Sequence, residues 1–255
     1  MSFITLKDVC LNYNLAHNKE IALDNLNIEI DEGEFTVIIG ISGCGKSSIL
    51  NLIAGFIHPT SGSVKVNNIE VKEPGPERGM IFQSYDGPLF RWLTTKQNVT
   101  FGLRCSQKEK DEIAKKYIKL VHLEGSENKY PSELSGGMKQ RVQLARIWAR
   151  NSLVLLMDEP FANLDAITKE ILQEELQDIW IKTKKNIIYV THSIEEAVVL
   201  GGKIIIMTAG PRSSVKKEIK INLKYPRDSL SAEVIKYVKE LKNDIEEEAK
   251  KKENI

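Results

Sequence analysis

The chain has 255 residues, enough for one α/β domain with a subdomain and a sizeable core, and its 42% hydrophobic and 28% charged composition is ordinary for a soluble globular protein. With 36 basic and 35 acidic residues the net charge is +1, which leaves no global field to draw nucleic acid or anionic lipid. Cys10, Cys44 and Cys105 lack metal-ligand spacing and fit a reducing compartment, the start shows no leader pattern, and no stretch approaches the ~20 apolar residues of a membrane span, so any membrane role is borrowed from a partner.

Residues 3–9 and 21–30 read as strands, the second alternating Leu26, Ile28 and Ile30 with polar residues as on a half-buried antiparallel sheet. Tyr13 falls in the loop expected between them, where its ring either packs or stacks on a purine. After a turn at Asp31-Glu32-Gly33-Glu34, Phe35 to Ile39 is a buried strand. It feeds Gly40-Ile41-Ser42-Gly43-Cys44-Gly45-Lys46-Ser47, followed by Ser48 and a helix that ends near Gly55. Gly40, Gly45, Lys46 and Ser47 fit G-x-x-x-x-G-K-[ST], the pattern of a loop that cradles nucleoside triphosphate. Glycines let backbone N–H groups approach phosphate oxygens, and the helix start adds its positive end. Lys46 reaches the β- and γ-phosphates in such a loop, and the Ser47 hydroxyl ligates Mg²⁺. Cys44 is either a space-filling loop residue or a redox-sensitive thiol.

Val64 and Val66 mark another strand, residues 73–76 a loop, and Gly79 to Phe82 a short buried strand ending on Gln83. A polar residue there sits where open α/β sheets bind ligands. From about 95 to 150 the pattern turns helical, with Ile113, Tyr117 and Leu120 on one face and a solvated helix start at residues 108–111. This reads as a helical subdomain inserted between strands. Leu134-Ser135-Gly136-Gly137 leads into a helix with Met138, Val142, Ala145 and Ala149 on one stripe. Ser135 with the two glycines is either an ordinary serine cap or a second anion-binding helix start.

Leu153 to Met157 is an apolar strand running into Asp158-Glu159, a costly place for two carboxylates without a cation or a reacting group. Asp158 there holds Mg²⁺ through water, and Glu159 polarises the water that attacks the γ-phosphate. A helix with Ile171, Leu172, Leu176 and Ile179 follows Asn163-Leu164-Asp165, and the strand 186–191 ends on His192, which can orient water and bond the γ-phosphate. His17, His58 and His122 have no such placement. Residues 203–208 form another strand, and Ile219, Ile221 and Leu223 an edge strand broken by Pro226. Residues 230–252 read as a helix with Val234, Tyr237, Leu241 and Ile245 on one side, docked on the chain's own body, with a frayed charged end.

A phosphate loop, Gln83, Asp158-Glu159 and His192 at strand ends make a hydrolytic ATP site that lacks a donor to complete the γ-phosphate cage. Ser135-Gly136-Gly137 is such a donor, expected to serve a second copy in a head-to-tail homodimer.

These residues resemble the ATP-binding subunit of an ABC (ATP-binding cassette) transporter over residues 3–210. Gly40 to Ser47 matches the Walker A loop, Gln83 the Q-loop and Leu134 to Gln140 the family signature. Leu153 to Asp158 with Glu159 matches Walker B and its catalytic base, Asp165 the D-loop aspartate, His192 the switch histidine and Tyr13 the adenine-stacking aromatic. The resemblance implies an α/β P-loop NTPase fold: a RecA-like core, an antiparallel β subdomain and a helical subdomain. It implies an ABC domain over 1–225 with its helical part at about 95–150, and a C-terminal helical extension over 226–255. By it, Glu159, His192 and Gln83 are catalytic. Nucleotide contacts come from Tyr13, Gly40, Ser42, Gly43, Cys44, Gly45, Lys46, Ser47, Ser48, Ser135, Gly136, Gly137 and Asp165, and Ser47, Gln83 and Asp158 hold Mg²⁺.

Phe82-Gln83, Leu89 to Thr94 with Asn98-Val99, and Met207 to Arg212 resemble importers for nitrate, sulfonate, taurine and bicarbonate, although Arg91 stands where proline is frequent. In the D-loop Ala162-Asn163 stands where many relatives have Ser or Gly, then Ala. The implied partners are a second copy, integral membrane permease subunits and, indirectly, an external solute-binding protein, at the cytoplasmic face of the membrane, with no nucleic acid. The rival is a soluble ABC ATPase for DNA or assembly work, but such proteins insert long coiled-coil arms between the loop and the Asp-Glu strand, and no sustained heptads occur here.

Overall fold

A computed structural model describes residues 2–15, 18–83, 88–162 and 164–253, so His17 and Asn163 lie outside the described residues. The chain divides into two compact units, Met1–Gly75 with Gln177–Ile255, and Pro76–Leu176.

The first unit opens with strands β1 (Ser2–Leu15) and β2 (Asn18–Asp31), antiparallel to each other. Ile4 faces Ile30, Leu6 faces Ile28 and Val9 faces Leu26, all buried, so the alternation read from the sequence is the core face of this sheet. Both strands run beyond the apolar pattern. Tyr13 therefore lies not in a loop but within β1, opposite Glu20, because the backbone ladder continues where side-chain alternation lapses. Next come β3 (Phe35–Ile39), helix α1 (Lys46–Ala54), β4 (Ser61–Val66) and β5 (Ile69–Glu70). The antiparallel sheet has the order β2-β1-β4-β5.

In the second unit β6 (Arg78–Ile81) pairs in parallel with β7 (Val154–Asp158), Ile81 beside Met157. Leu153, expected in the apolar strand, precedes it and is 54% exposed. Its N–H and that of Val154 both go to the Glu77 carbonyl, so the ladder proper starts after it. Between the strands lie α2 (Thr95–Thr100), α3 (Gln107–Leu120) and α4 (Gly136–Ala149). Asn98 is fully buried and staples the preceding loop: its Nδ2 donates to the carbonyls of Phe90, Leu93 and Thr94, and its Oδ1 accepts from Phe90 N–H at 2.9 Å. The face of α3 is centred one residue from the expected stripe. Ala114 and Ile118 are buried, while Ile113, Tyr117 and Leu120 flank them. Helix α5 (Ala166–Thr183) buries Leu172 and Leu176 but leaves Ile171 exposed.

The first unit resumes with β8 (Asn186–Thr191), α6 (Ile194–Leu200), β9 (Lys203–Met207), β10 (Val215–Lys220) and α7 (Ala232–Glu253). β3 lies between β8 and β9, parallel to both, and β10 adds antiparallel to β9. Every residue of β3, β8 and β9 is buried, as a parallel sheet covered on both faces requires. Helix α1 contacts β4 and β8, and α6 contacts β3. β10 stops before Ile221 and Leu223, which the pattern assigned to it. The Arg227 guanidinium takes their carbonyls, at 3.3 and 3.2 Å, in place of a ladder partner. α7 contacts α6 and buries Val234 and Leu241, as expected of a helix docked on its own chain. The helix continues through the charged run to Glu253, with Glu248 1% exposed, and the last two residues lie outside the described residues.

Candidate functional site

In the first unit the buried strand β3 delivers the chain to Gly40, and the loop closes back on the start of α1. Gly43 and Gly45 both have φ +83°, which side chains rarely adopt. At Gly45 an added Cβ would meet Leu23 Cδ2 at 2.7 Å, so the close approach of loop and β2 also demands glycine there. Gly45 caps α1 without a side-chain bond to its first N–H groups, leaving those donors and the helix dipole for an anion.

Lys46 is 7% exposed, and its ammonium lies over the loop, donating to the carbonyls of Gly40 at 2.8 Å and Ile41 at 3.0 Å. The Cys44 thiol sits 3.8 Å from Lys46 Nζ, fully buried. Burial pushes the thiol up from its ordinary range despite that lysine, which favours the space-filling role over a reactive one. Tyr13 is 38% exposed and its hydroxyl is 3.0 Å from Ser48 Oγ, so strand β1 brings it beside the loop. His192 follows β8 in this same unit and is exposed.

In the second unit Asp158 ends β7 with 8% exposure, and Glu159 follows with φ +46°. A left-handed glutamate is a local strain of about 1 kcal/mol or more, of the kind that functional sites hold in place. Gln83 Nε2 donates to the Glu159 carboxylate at 3.3 Å, and Gln140 Nε2 reaches the Glu159 backbone carbonyl at 3.4 Å. Gln83 and Glu159 are thus brought together. Gln140 was legible only as part of the signature; nothing in its helical spacing announced a bond to this turn. Ser135 is exposed and caps α4, its Oγ accepting from Met138 N–H at 3.3 Å, with Gly136 and Gly137 opening the helix. The Asp165 carboxylate accepts from Thr168 N–H at 2.9 Å, and that bond, more than the Arg141 charge, holds it below the ordinary range.

In the second unit Gln83 and Asp158 offer hard oxygen donors of the kind a small divalent cation takes. Among the described residues no cluster of three His, Cys, Asp or Glu could hold a metal by itself.

A buried parallel strand, a glycine turn and a lysine folded over it define a P-loop nucleotide-binding protein. Comparison with known proteins carries this further. The family model described as "ABC transporter" matches residues 23–162. The nitrate import ATP-binding protein of Synechocystis is 48% identical over 206 residues, covering 80% of this chain and 76% of that one. The bicarbonate transport ATP-binding protein of Synechocystis is 44% identical over 232 residues, covering 89% and 82%. A solved dimeric ATP-binding cassette in a post-hydrolysis state, bound to ADP and Pi, superposes with a TM-score of 0.77 at 32% identity, covering 87% of this chain and all of that one. The chain belongs to the ABC transporter family, as an ATP-binding subunit and an ATPase. Its fold is the ABC cassette.

Proposed function

We propose that this chain is the motor subunit of an importer for a small anion of the nitrate, bicarbonate or sulfonate type. The names of its relatives support that substrate class. Two copies close head to tail on two ATP molecules, Ser135-Gly136-Gly137 of each meeting the γ-phosphate held by the phosphate loop of the other. The dimeric relative supports this arrangement. In each site Tyr13 stacks on adenine, and the loop amides of Gly40 to Ser48 with Lys46 bind the phosphates. Asp165 lies at the closing interface. Ser47, Gln83 and Asp158 would hold Mg²⁺, which supplies neutralisation of phosphate charge when bound.

Glu159 takes the proton of the attacking water, Gln83 orients the Glu159 carboxylate, and His192 bonds the γ-phosphate. Closure and reopening of the pair drive integral membrane permease subunits, which a solute-binding protein supplies from outside. On this reading the chain works as a peripheral subunit at the cytoplasmic face, borrowing its membrane attachment from the permease; no helix among the described residues is long and apolar enough to cross a membrane.

The observation that carries this reading is the Glu159 carboxylate, set after a buried strand in a strained backbone and held by Gln83. Glu159→Gln keeps ATP binding and loses turnover by roughly 10²–10⁴-fold, the range for a general base. With Mg-ATP that variant sediments as a dimer, and adding Ser135→Arg makes it a monomer. Unchanged kcat removes Glu159 from its role, and a dimer indifferent to Ser135→Arg removes the second copy from the site.

A further inference from the structure

The last turn of α7 lies against the phosphate loop, and both belong to the first unit. Lys252 Nζ donates to the Ser42 carbonyl at 2.9 Å. One turn earlier the buried Glu248 accepts from the Ala209 N–H at 2.8 Å, with Lys251 at 2.7 Å and Lys216 at 3.2 Å from its carboxylate. Gly210, next in the loop after β9, touches the phosphate loop. A Cβ there would come within 2.9 Å of the Gly43 carbonyl and 3.6 Å of Cys44 Cα. Helix end, post-β9 loop and phosphate loop are thus stacked as one contact, anchored by Glu248 and finished by Lys252.

A planar trans peptide points its carbonyl and its N–H to opposite sides. Holding the Ser42 carbonyl outward therefore fixes the Gly43 N–H toward the other face. Gly43 has φ +83° and no side chain of its own to restrain that plane, and the space where its Cβ would be is open. A loop that binds anions through aligned amides loses affinity in proportion to the time a plane spends turned away.

We infer that Lys252 is a positioning residue for the phosphate loop: its bond to the Ser42 carbonyl keeps the Gly43 N–H aimed at the nucleotide phosphates, and Glu248 fixes the helix end that carries it. This rests on residues 40–48 being the nucleotide site. No sequence motif marks either residue, because both sit in a run of glutamates and lysines typical of a solvated helix.

The test uses the full chain and mant-ATP, with steady-state hydrolysis of ATP alongside. In Lys252→Met the Kd for mant-ATP and the KM for ATP rise about threefold to tenfold, as for loss of one charge-assisted hydrogen bond. At saturating ATP kcat changes less than about twofold, since the bond orders the loop before chemistry. Lys252→Arg restores affinity, and the melting temperature of both variants stays within ~2 °C of the parent because the side chain is exposed. Unchanged Kd and KM in Lys252→Met, while Lys46→Ala abolishes binding, overturns the role of Lys252 alone. Undiminished binding in Lys46→Ala overturns the nucleotide site itself. A fall in kcat and melting temperature with no change in Kd assigns Lys252 a merely structural role and also overturns the inference.

Discussion

Gly43 and Gly45 share φ +83° but differ in surroundings, and replacing each with alanine separates backbone conformation from crowding. A left-handed alanine costs about 1–2 kcal/mol at either position. At Gly43 that is the whole cost, since no atom lies within 4 Å of the new methyl. At Gly45 the methyl would sit 2.7 Å from Leu23 Cδ2 and 3.5 Å from its Cγ. Leu23 is fully buried on β2, so the new methyl must push its side chain against the core, and overpacking adds about 1–3 kcal/mol. At ~2–4 °C per kcal/mol for a chain of this size, Gly45→Ala melts roughly 2–12 °C below Gly43→Ala. Thermal unfolding followed by circular dichroism in nucleotide-free buffer measures the gap. Equal melting temperatures, or a lower one for Gly43→Ala, would show that Leu23 does not set the loop's tolerance and would refute the geometry. ATP affinity falls in both variants, so the order of stabilities is not an echo of the order of affinities.

The Arg227 guanidinium is buried and donates to the carbonyls of Val198 and Gly201 at 2.6 Å, and to those of Ile221 and Leu223. Arg227→Met fills the stem's volume but supplies no donor, and costs about 2–4 kcal/mol by leaving buried carbonyls without one. Urea unfolding reads this as a lowered midpoint with the slope preserved; an unmoved midpoint refutes it. For Glu248, burial pushes the carboxyl up, but Lys251 on α7, the Ala209 N–H after β9 and Lys216 on β10 outweigh it, with Asp244 and Glu247 alongside, and the group ends below the ordinary range. A lowered carboxyl contributes stability above its unfolded value of about 4.3, lost as the pH falls through the folded one. The stability gap between the parent and Glu248→Gln is therefore full at pH 7 and closes below about pH 4. A gap constant from pH 7 to pH 3 refutes the ion cluster.

What the sequence revealed and what it hid divide along a physical line. The strand Phe35–Ile39, the glycine turn and α1 were legible because burial on both faces leaves a continuous apolar run, and because left-handed backbone calls for glycine whatever lies nearby. β8 and β9 were legible for the first of those reasons. Tyr13 was misplaced into a loop because its stretch of β1 is held by backbone pairing, to which side-chain alternation is blind. On α3 the stripe slipped by one residue because Ala114, small and buried, weighs little in a hydrophobic pattern, whereas the larger half-exposed Tyr117 weighs much.

The other misses are polar contacts between residues far apart in the chain: Lys252 with Ser42, Arg227 with the carbonyls after β10, Gln140 with Glu159. Lys, Arg and Gln also populate solvated surfaces, so their types alone do not distinguish a tether from a face in water. Periodicity reports where carbon is buried; it carries no information on where a charge finds its partner. The phosphate loop stands on both kinds of support, Leu23 and Cys44 packed from within and Lys252 bonded from without. Only the first kind leaves a trace in hydrophobic spacing. Hence the loop itself was legible from a motif, whereas its outer brace, some two hundred residues away in a charged helix, became visible only when the fold brought the two together.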